Sequence, residues 1–171
     1  MKYNHIVQGE FLERPNRFIA YVNVEGRKET VHVKNTGRCR ELLTVGAKVY
    51  LEKSDNPDRK TQYDLVGVQK GDMLVNIDSQ APNKVVEEWL REGGLFPDVV
   101  LVRPETVYGN SRSDFYIETP SEKIFMEVKG VTLEENGVVR FPDAPSERAV
   151  KHVEELVKAR EEGYQVYVLF V

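Results

Sequence analysis

The sequence predicts a two-domain chain, a small β-barrel followed by a mixed α/β sheet flanked by helices, and three observations carry the prediction. Short segments of alternating apolar and polar character fill the stretch from Arg17 to Asp78. The composition then shifts at Gln80-Ala81-Pro82, and beyond it the pattern runs helix, three strands, helix, strand. At 171 residues and 40% hydrophobic composition, the chain can bury one core or two small ones. The expected domains are residues 1–80 and 81–171.

Five strands are expected in the first half: Phe18 to Val24, Glu29 to Val33, Ala47 to Leu51, Tyr63 to Val68 and Met73 to Ile77. Turn residues separate them at Glu25-Gly26, Val45-Gly46, Asp55-Asn56-Pro57-Asp58 and Lys70-Gly71-Asp72, the last suiting a tight hairpin. Only Arg38 to Leu43 reads as briefly helical. Five strands in so short a span close most economically as an OB-like barrel, with an SH3-like barrel the alternative.

In the second half Pro82 suits the first turn of a helix through Val85, Val86, Trp89 and Leu90, stopped by Gly93-Gly94. Val99 to Val102 reads as a buried strand. Arg112 to Glu118 and Lys123 to Lys129 form a hairpin around Thr119-Pro120-Ser121-Glu122, and a second hairpin turns at Glu135-Asn136-Gly137. Asp143 or Ser146 caps a helix whose apolar positions are Ala149, Val150, Val153, Leu156 and Val157, ending at Gly163. Tyr164 to Val171 is the last strand.

The formal net charge of −4 conceals an asymmetry. Residues 1–80 hold 13 Lys and Arg against 11 Asp and Glu, whereas residues 81–171 hold 11 against 17. A phosphate-binding half beside an acidic, metal-binding half has this distribution. No apolar run reaches membrane-spanning length, and Met1 to Phe11 interleaves polar residues rather than forming a signal core. A cytoplasmic protein without a membrane partner is expected. The single cysteine, Cys39, excludes an internal disulfide and a Cys-rich zinc site. His5 and His32 have no ligand-spaced companion and read as structural.

The hairpin register can be derived. A turn centred on Pro120-Ser121 sets Ile117 opposite Ile124, Phe115 opposite Met126 and Asp114 opposite Glu127. One face then carries Phe115, Ile117, Ile124, Met126 and Val128, all apolar. The other carries Asp114, Tyr116, Glu118, Lys123, Phe125, Glu127 and Lys129. Facing carboxylates stand about 5 Å apart at Cβ and repel unless a cation lies between them. A magnesium or manganese ion held by Asp114, Glu127 and the Val128 carbonyl would relieve the repulsion, with Lys129 placed to stabilise charge growing on a phosphate. The alternative is an amphipathic hairpin whose wet face happens to alternate acids and lysines.

Longer strings add a resemblance. Ser111-Arg112-Ser113-Asp114-Phe115, Met126-Glu127-Val128-Lys129-Gly130-Val131-Thr132-Leu133 and Phe141-Pro142-Asp143-Ala144-Pro145-Ser146-Glu147-Arg148, then Lys151-His152, are similar to the sugar fermentation stimulation protein A family, as is Asn35-Thr36-Gly37. The resemblance implies an N-terminal OB-like domain and a restriction-endonuclease-like domain of the PD-(D/E)xK kind. It further implies a Mg2+-dependent nuclease acting on DNA or RNA, with Asp114 as the motif acid and Glu127 and Lys129 as the Glu-x-Lys element. The alternatives are a non-cleaving DNA-binding regulator of sugar (maltose) metabolism and an interaction module without nucleic acid. Family members continue past the strand that ends here at Val171, so the second domain is expected to be truncated.

Secondary candidates surround these. Glu105 is a further ligand candidate, its alternative being a solvated strand-end acid. Arg112, Asp143, Glu147, Arg148, Lys151 and His152 are secondary active-site candidates; of these Arg148, Lys151 and His152 fall on the polar side of the helix, where they can reach a scissile or neighbouring phosphate, the alternative being a solvated helix face with Asp143 as its cap. In the barrel, Arg14, Arg17, Lys34, Asn35, Thr36, Arg38 and Arg40 are the candidate nucleic-acid contacts, with Phe18 and Tyr21 as stacking surfaces.

Overall fold

The computed structural model describes residues 1–142 and 147–171, so the two capping candidates Asp143 and Ser146 lie outside the described residues. The chain divides into two compact units. The first is Met1–Ala81 with Thr132–Gly137, and the second is Pro82–Val131 with Val138–Val171.

The first unit contains β1 (Ile6–Glu13), β2 (Ile19–Val24), β3 (Arg27–Val33), β4 (Lys48–Lys53), β5 (Tyr63–Lys70) and β6 (Met73–Asn76). Their order is β3-β2-β1-β4-β5-β6, and a parallel pairing of β3 with β5 closes the first five into a barrel of the OB type. Alternation works as expected in β2, where Ala20, Val22 and Val24 are buried. The membership of the barrel differs from expectation. Strand β1, which the sequence does not announce, sits between β2 and β4, while the expected fifth strand is β6, paired only with β5. Of the eight β1 residues only Phe11 is fully buried, so the strand lacks an apolar period. Its inward position at Gly9 has no side chain, because a Cβ there would stand 2.5 Å from Val22 Cγ1. The helical piece expected at Arg38 to Leu43 is one turn, in which the Leu42 and Leu43 amides donate to the Cys39 carbonyl at 3.2 and 2.9 Å. That turn buries both leucines in the barrel core.

The second unit contains α1 (Ala81–Arg91), β7 (Leu101–Tyr108), β8 (Ser111–Glu118), β9 (Lys123–Lys129), α2 (Glu147–Glu161) and β12 (Gln165–Phe170). Two short strands lie in sequence between β9 and α2: β10 (Leu133–Glu135) falls in the first unit and β11 (Val138–Arg140) in the second, separated by Asn136 and Gly137, both with positive φ. The sheet order is β12-β9-β8-β7, with β12 parallel to β9 and the other pairs antiparallel.

On one face Val86 and Leu90 of α1 pack on Val102, Phe115, Ile117, Ile124, Met126 and Val128, each fully buried large side chain contributing roughly 1.5–3 kcal/mol. The other face is not a wet one. Phe125 lies under Leu156 and Ala159 of α2 and is ringed by Tyr108, Tyr116 and Tyr164 at centroid distances of 4.8, 5.2 and 5.0 Å. These aromatic rings explain how a face of mixed polarity is buried.

Two further differences bear on the site. The strand expected at Val99 to Val102 begins at Leu101 and runs on to Tyr108. As the edge strand of this sheet it tolerates Pro104 and a positive φ of 51° at Glu105, features that hid its length in the sequence. Helix α2 also turns a different side inward. Val150, Val153 and Val157 are exposed, while Leu156, Ala159 and Glu155 are buried and His152 is half-buried. Positions 152, 155, 156 and 159 keep the helical period, but two of them are polar, so an apolar count selects the wrong side.

Candidate active site

The register of the β8–β9 hairpin is the one derived from the apolar pattern: Glu118 pairs with Lys123, Ile117 with Ile124 and Phe115 with Met126. The ladder stops there, and side chains complete it. The Ser113 hydroxyl donates to the Met126 carbonyl at 3.0 Å, and the Val128 amide donates to Asp114 Oδ2 at 2.8 Å. Asp114 Oδ1 accepts a second hydrogen bond, 2.9 Å long, from the Asn83 side chain at the start of α1. Both oxygens of this carboxylate are thus oriented from outside its own strand.

Glu127 is 3% exposed, a position that an isolated carboxylate cannot hold without compensation. Two neighbours supply it. The Lys129 ammonium donates to Glu127 Oε1 at 2.5 Å, and His152 Nδ1, brought by α2, is bonded to the same oxygen. Strand β9 lies between β8 and β12, so Glu127 and Lys129 are carried by paired backbone, with Lys129 opposite Phe170. Burial pushes the Asp114 carboxyl above its usual range, and the nearby Glu127 charge pushes it further; the Val128 amide, Asn83 and Lys129 pull the other way without cancelling the rise.

All the donors these acids offer are oxygens, which suits a hard divalent cation. Among the described residues no group of three His, Cys, Asp or Glu side chains is arranged to hold a metal. The two carboxylates would need oxygens from other sources, so the residues fit an ion that keeps much of its water, as Mg2+ does.

The secondary candidates separate. Glu105 is engaged in an exposed ion pair with Arg112 at 3.1 Å, at the point of β7 that faces Asp114 between the Pro104–Phe115 and Thr106–Ser113 pairs. Arg148 is exposed on α2 with its Nε 3.5 Å from His152 Nε2, and Glu147 and Lys151 are solvated on the same helix. Asp143 lies outside the described residues. Asn83 is a site residue that pattern reading missed. Its one signal is Gly130 directly after Lys129, which permits something to approach: a Cβ at Gly130 would stand 3.0 Å from Pro82 Cγ.

In the first unit the basic candidates divide by what their side chains already hold. Arg14 donates to four backbone carbonyls, those of Arg17, Asn35, Gly37 and Arg38, at 2.6 to 2.8 Å. Lys34 Nζ lies 2.7 Å from Asp78, whose side chain is fully buried. Asn35 donates to the Ile77 carbonyl and accepts from the Gly37 amide. The side chains of these three are engaged in holding the loop. Arg17, Thr36, Arg38 and Arg40 are exposed and border a basin of about 440 Å³, with Arg17 stacked over the exposed Phe18 ring at 5.0 Å. Tyr21 carries Lys28 over its ring at 3.9 Å.

An OB barrel joined to an α/β/α unit with an acid pair and lysine at a hairpin end defines the class of protein. Residues 12–77 match the SfsA N-terminal OB domain, and residues 80–171 match the sugar fermentation stimulation protein RE domain. Similar proteins include sugar fermentation stimulation protein homologs of Clostridium beijerinckii, 60% identical over the whole chain and 76% of the relative, and of Ruminiclostridium cellulolyticum, 57% identical over the same shares. Among solved structures, SfsA of Pyrococcus furiosus in complex with Ca2+ is 30% identical with a TM-score of 0.88, covering 99% of this chain and 74% of that one. The chain belongs to the sugar fermentation stimulation protein family. No helix among the described residues is long and apolar enough to cross a membrane.

Proposed function

We propose that this protein hydrolyses phosphodiester bonds of nucleic acid with the help of Mg2+ or Mn2+ held by Asp114 and Glu127. The observation that carries the reading is the geometry at the end of the β8–β9 ladder, where Asp114 accepts from the Val128 amide between Glu127 and Lys129, and the Lys129 ammonium lies 2.5 Å from Glu127. The structure of the Pyrococcus furiosus relative in complex with Ca2+ supports a hard-cation site. A bound cation supplies a more acidic coordinated water and offsets charge on phosphate oxygens. The Val128 carbonyl, between the acid and the amine in sequence, is a further oxygen candidate.

The chain's own residues divide the remaining work. Asn83 and the Val128 amide orient the Asp114 carboxylate, while His152 and Lys129 hold Glu127 Oε1. Lys129, an amine already positioned beside the acids, can donate to a non-bridging phosphate oxygen as negative charge grows there. Arg148, exposed beside His152, suits a neighbouring phosphate. The exposed Arg17, Arg38 and Arg40 of the barrel would hold the nucleic-acid backbone, with Phe18 offering a stacking surface.

The test is release of short fragments from DNA or RNA in Mg2+, comparing wild type with Asp114→Ala and Lys129→Ala. Equal cleavage by all three would remove the assignment. A second reading, a non-cleaving DNA-binding regulator of sugar metabolism, draws on the occupation of Glu127 Oε1 by both Lys129 and His152, a self-neutralised arrangement that needs no ion to be stable. Salt-sensitive DNA binding without cleavage under any divalent ion would favour it.

A further inference from the structure

Asp114 is the one carboxylate of the pair whose two oxygens are held from different elements. The Val128 amide belongs to the neighbouring strand and cannot be removed without removing the strand. The Asn83 amide, by contrast, is a side chain on the first turn of α1, and it reaches Asp114 Oδ1 at 2.9 Å. Its placement has a visible cause. Gly130 follows Lys129 directly and offers no Cβ; one there would meet Pro82 Cγ at 3.0 Å, tighter than an ordinary contact. Pro82 therefore packs into the space the glycine leaves, and the next residue of the helix arrives over the carboxylate. Each carboxylate oxygen can accept two hydrogen bonds or ligand contacts. With Asn83 on Oδ1 and Val128 on Oδ2, one acceptor site remains on each, both with fixed direction.

We infer that Asn83 is a positioning residue that aims Asp114 at the cation, and that Gly130 sets the distance from which it does so. This rests on the reading of Asp114 and Glu127 as metal-holding. The chemistry is that of an outer-shell hydrogen bond: a carboxylate free to rotate loses part of its binding to rotamer entropy and to misdirected lone pairs, whereas one clamped by an amide binds without that loss. Asn83 itself keeps its side-chain oxygen for solvent or a coordinated water and need not touch the ion.

The experiment titrates Mn2+ into the full 171-residue chain, reading free Mn2+ by electron paramagnetic resonance and metal-free stability by thermal unfolding in EDTA. Asn83→Ala should weaken Mn2+ binding by about 10–100-fold with little change in the EDTA melting temperature. Asn83→Gln, which retains the amide donor, should recover most of the affinity. Gly130→Ala should weaken binding in the same direction, and combining it with Asn83→Ala should add little, since both act on one contact. If Asn83→Ala binds as wild type while Asp114→Ala does not bind, the inference is wrong and the metal reading stands. The inference fails equally if Asn83→Gln binds as weakly as Asn83→Ala, or if the Gly130→Ala loss adds in full to that of Asn83→Ala. If wild type itself does not bind Mn2+, both fall.

Discussion

Replacing Lys129 by methionine tests the balance of charge on which the site depends. The substitution keeps the aliphatic stem and removes the ammonium, leaving Glu127, 3% exposed, with His152 as its remaining partner on Oε1. Removing one member of a buried ion pair costs about 3–5 kcal/mol, and the surviving His152 contact argues for the lower end, about 3 kcal/mol. For a unit of this size each kcal/mol moves the melting temperature by roughly 4–8 °C, so Lys129→Met should lower the transition of the second unit by roughly 12 °C or more in EDTA. A cation that binds the folded state at a hundred times its Kd returns about 2.7 kcal/mol, so Mn2+ should restore most of the loss. The assay is thermal unfolding of wild type and variant with EDTA and with saturating Mn2+. Identical melting of the two proteins in EDTA would refute the claim that the ammonium compensates Glu127. A loss that Mn2+ leaves untouched would refute the claim that a cation can take its place.

Asp114 carries a signed pH dependence. Its folded value is raised above 3.8, so its ionised form costs stability at neutral pH and its favourable contribution exists only below the unfolded value, fading as pH rises through the folded one. Asp114→Asn should therefore stabilise the metal-free protein at pH 7, with the gain vanishing in melts below about pH 4. Asp64 runs oppositely: burial pushes it up, but hydrogen bonds from Arg59 and His32 outweigh this and hold it below 3.8. Its contribution is present above the unfolded value and lost as pH falls through the folded one, so Asp64→Asn should lower the first unit's melting temperature at pH 7 and flatten its acid limb. In the basin, Arg17→Ala, Arg38→Ala and Arg40→Ala should each reduce the salt slope of nucleic-acid binding by about 0.7–0.9. Lys34→Met should instead destabilise the barrel by leaving Asp78 buried without its partner, with the salt slope unchanged in the folded protein. An undiminished slope in the arginine variants, measured by affinity against salt concentration, would move the contact surface elsewhere.

The hairpin register was legible in the residues alone because its cause is local. Phe115, Ile117, Ile124 and Met126 are spaced so that only one pairing puts them on a common face, and a slip by one residue would expose them. That register brings Asp114, Glu127 and Lys129 to one end of the same pair of strands. The helix after Pro82 and the turn at Asn136-Gly137 were legible for the same reason, being specified by a few adjacent residues. Strand β1 was not, because its burial comes from being flanked by β2 and β4 and its close approach to β2 is marked by the absence of a side chain at Gly9.

What the sequence by itself determined is therefore the set of chemical groups and their pairing across one turn. Only the tertiary structure decided how those groups are compensated. Asn83 lies 31 residues before Asp114 and His152 lies 25 after Glu127, and neither separation implies contact until two helices pack on opposite faces of the sheet. It was likewise the folded loop that took Arg14, Lys34 and Asn35 out of the set of free cationic and polar groups, since a side chain's availability depends on which carbonyls and carboxylates reach it first. The physical reason is common to all these cases: strand alternation is a property of neighbouring bonds, whereas burial and hydrogen-bond occupancy are properties of residues distant in sequence that only the packed chain brings together.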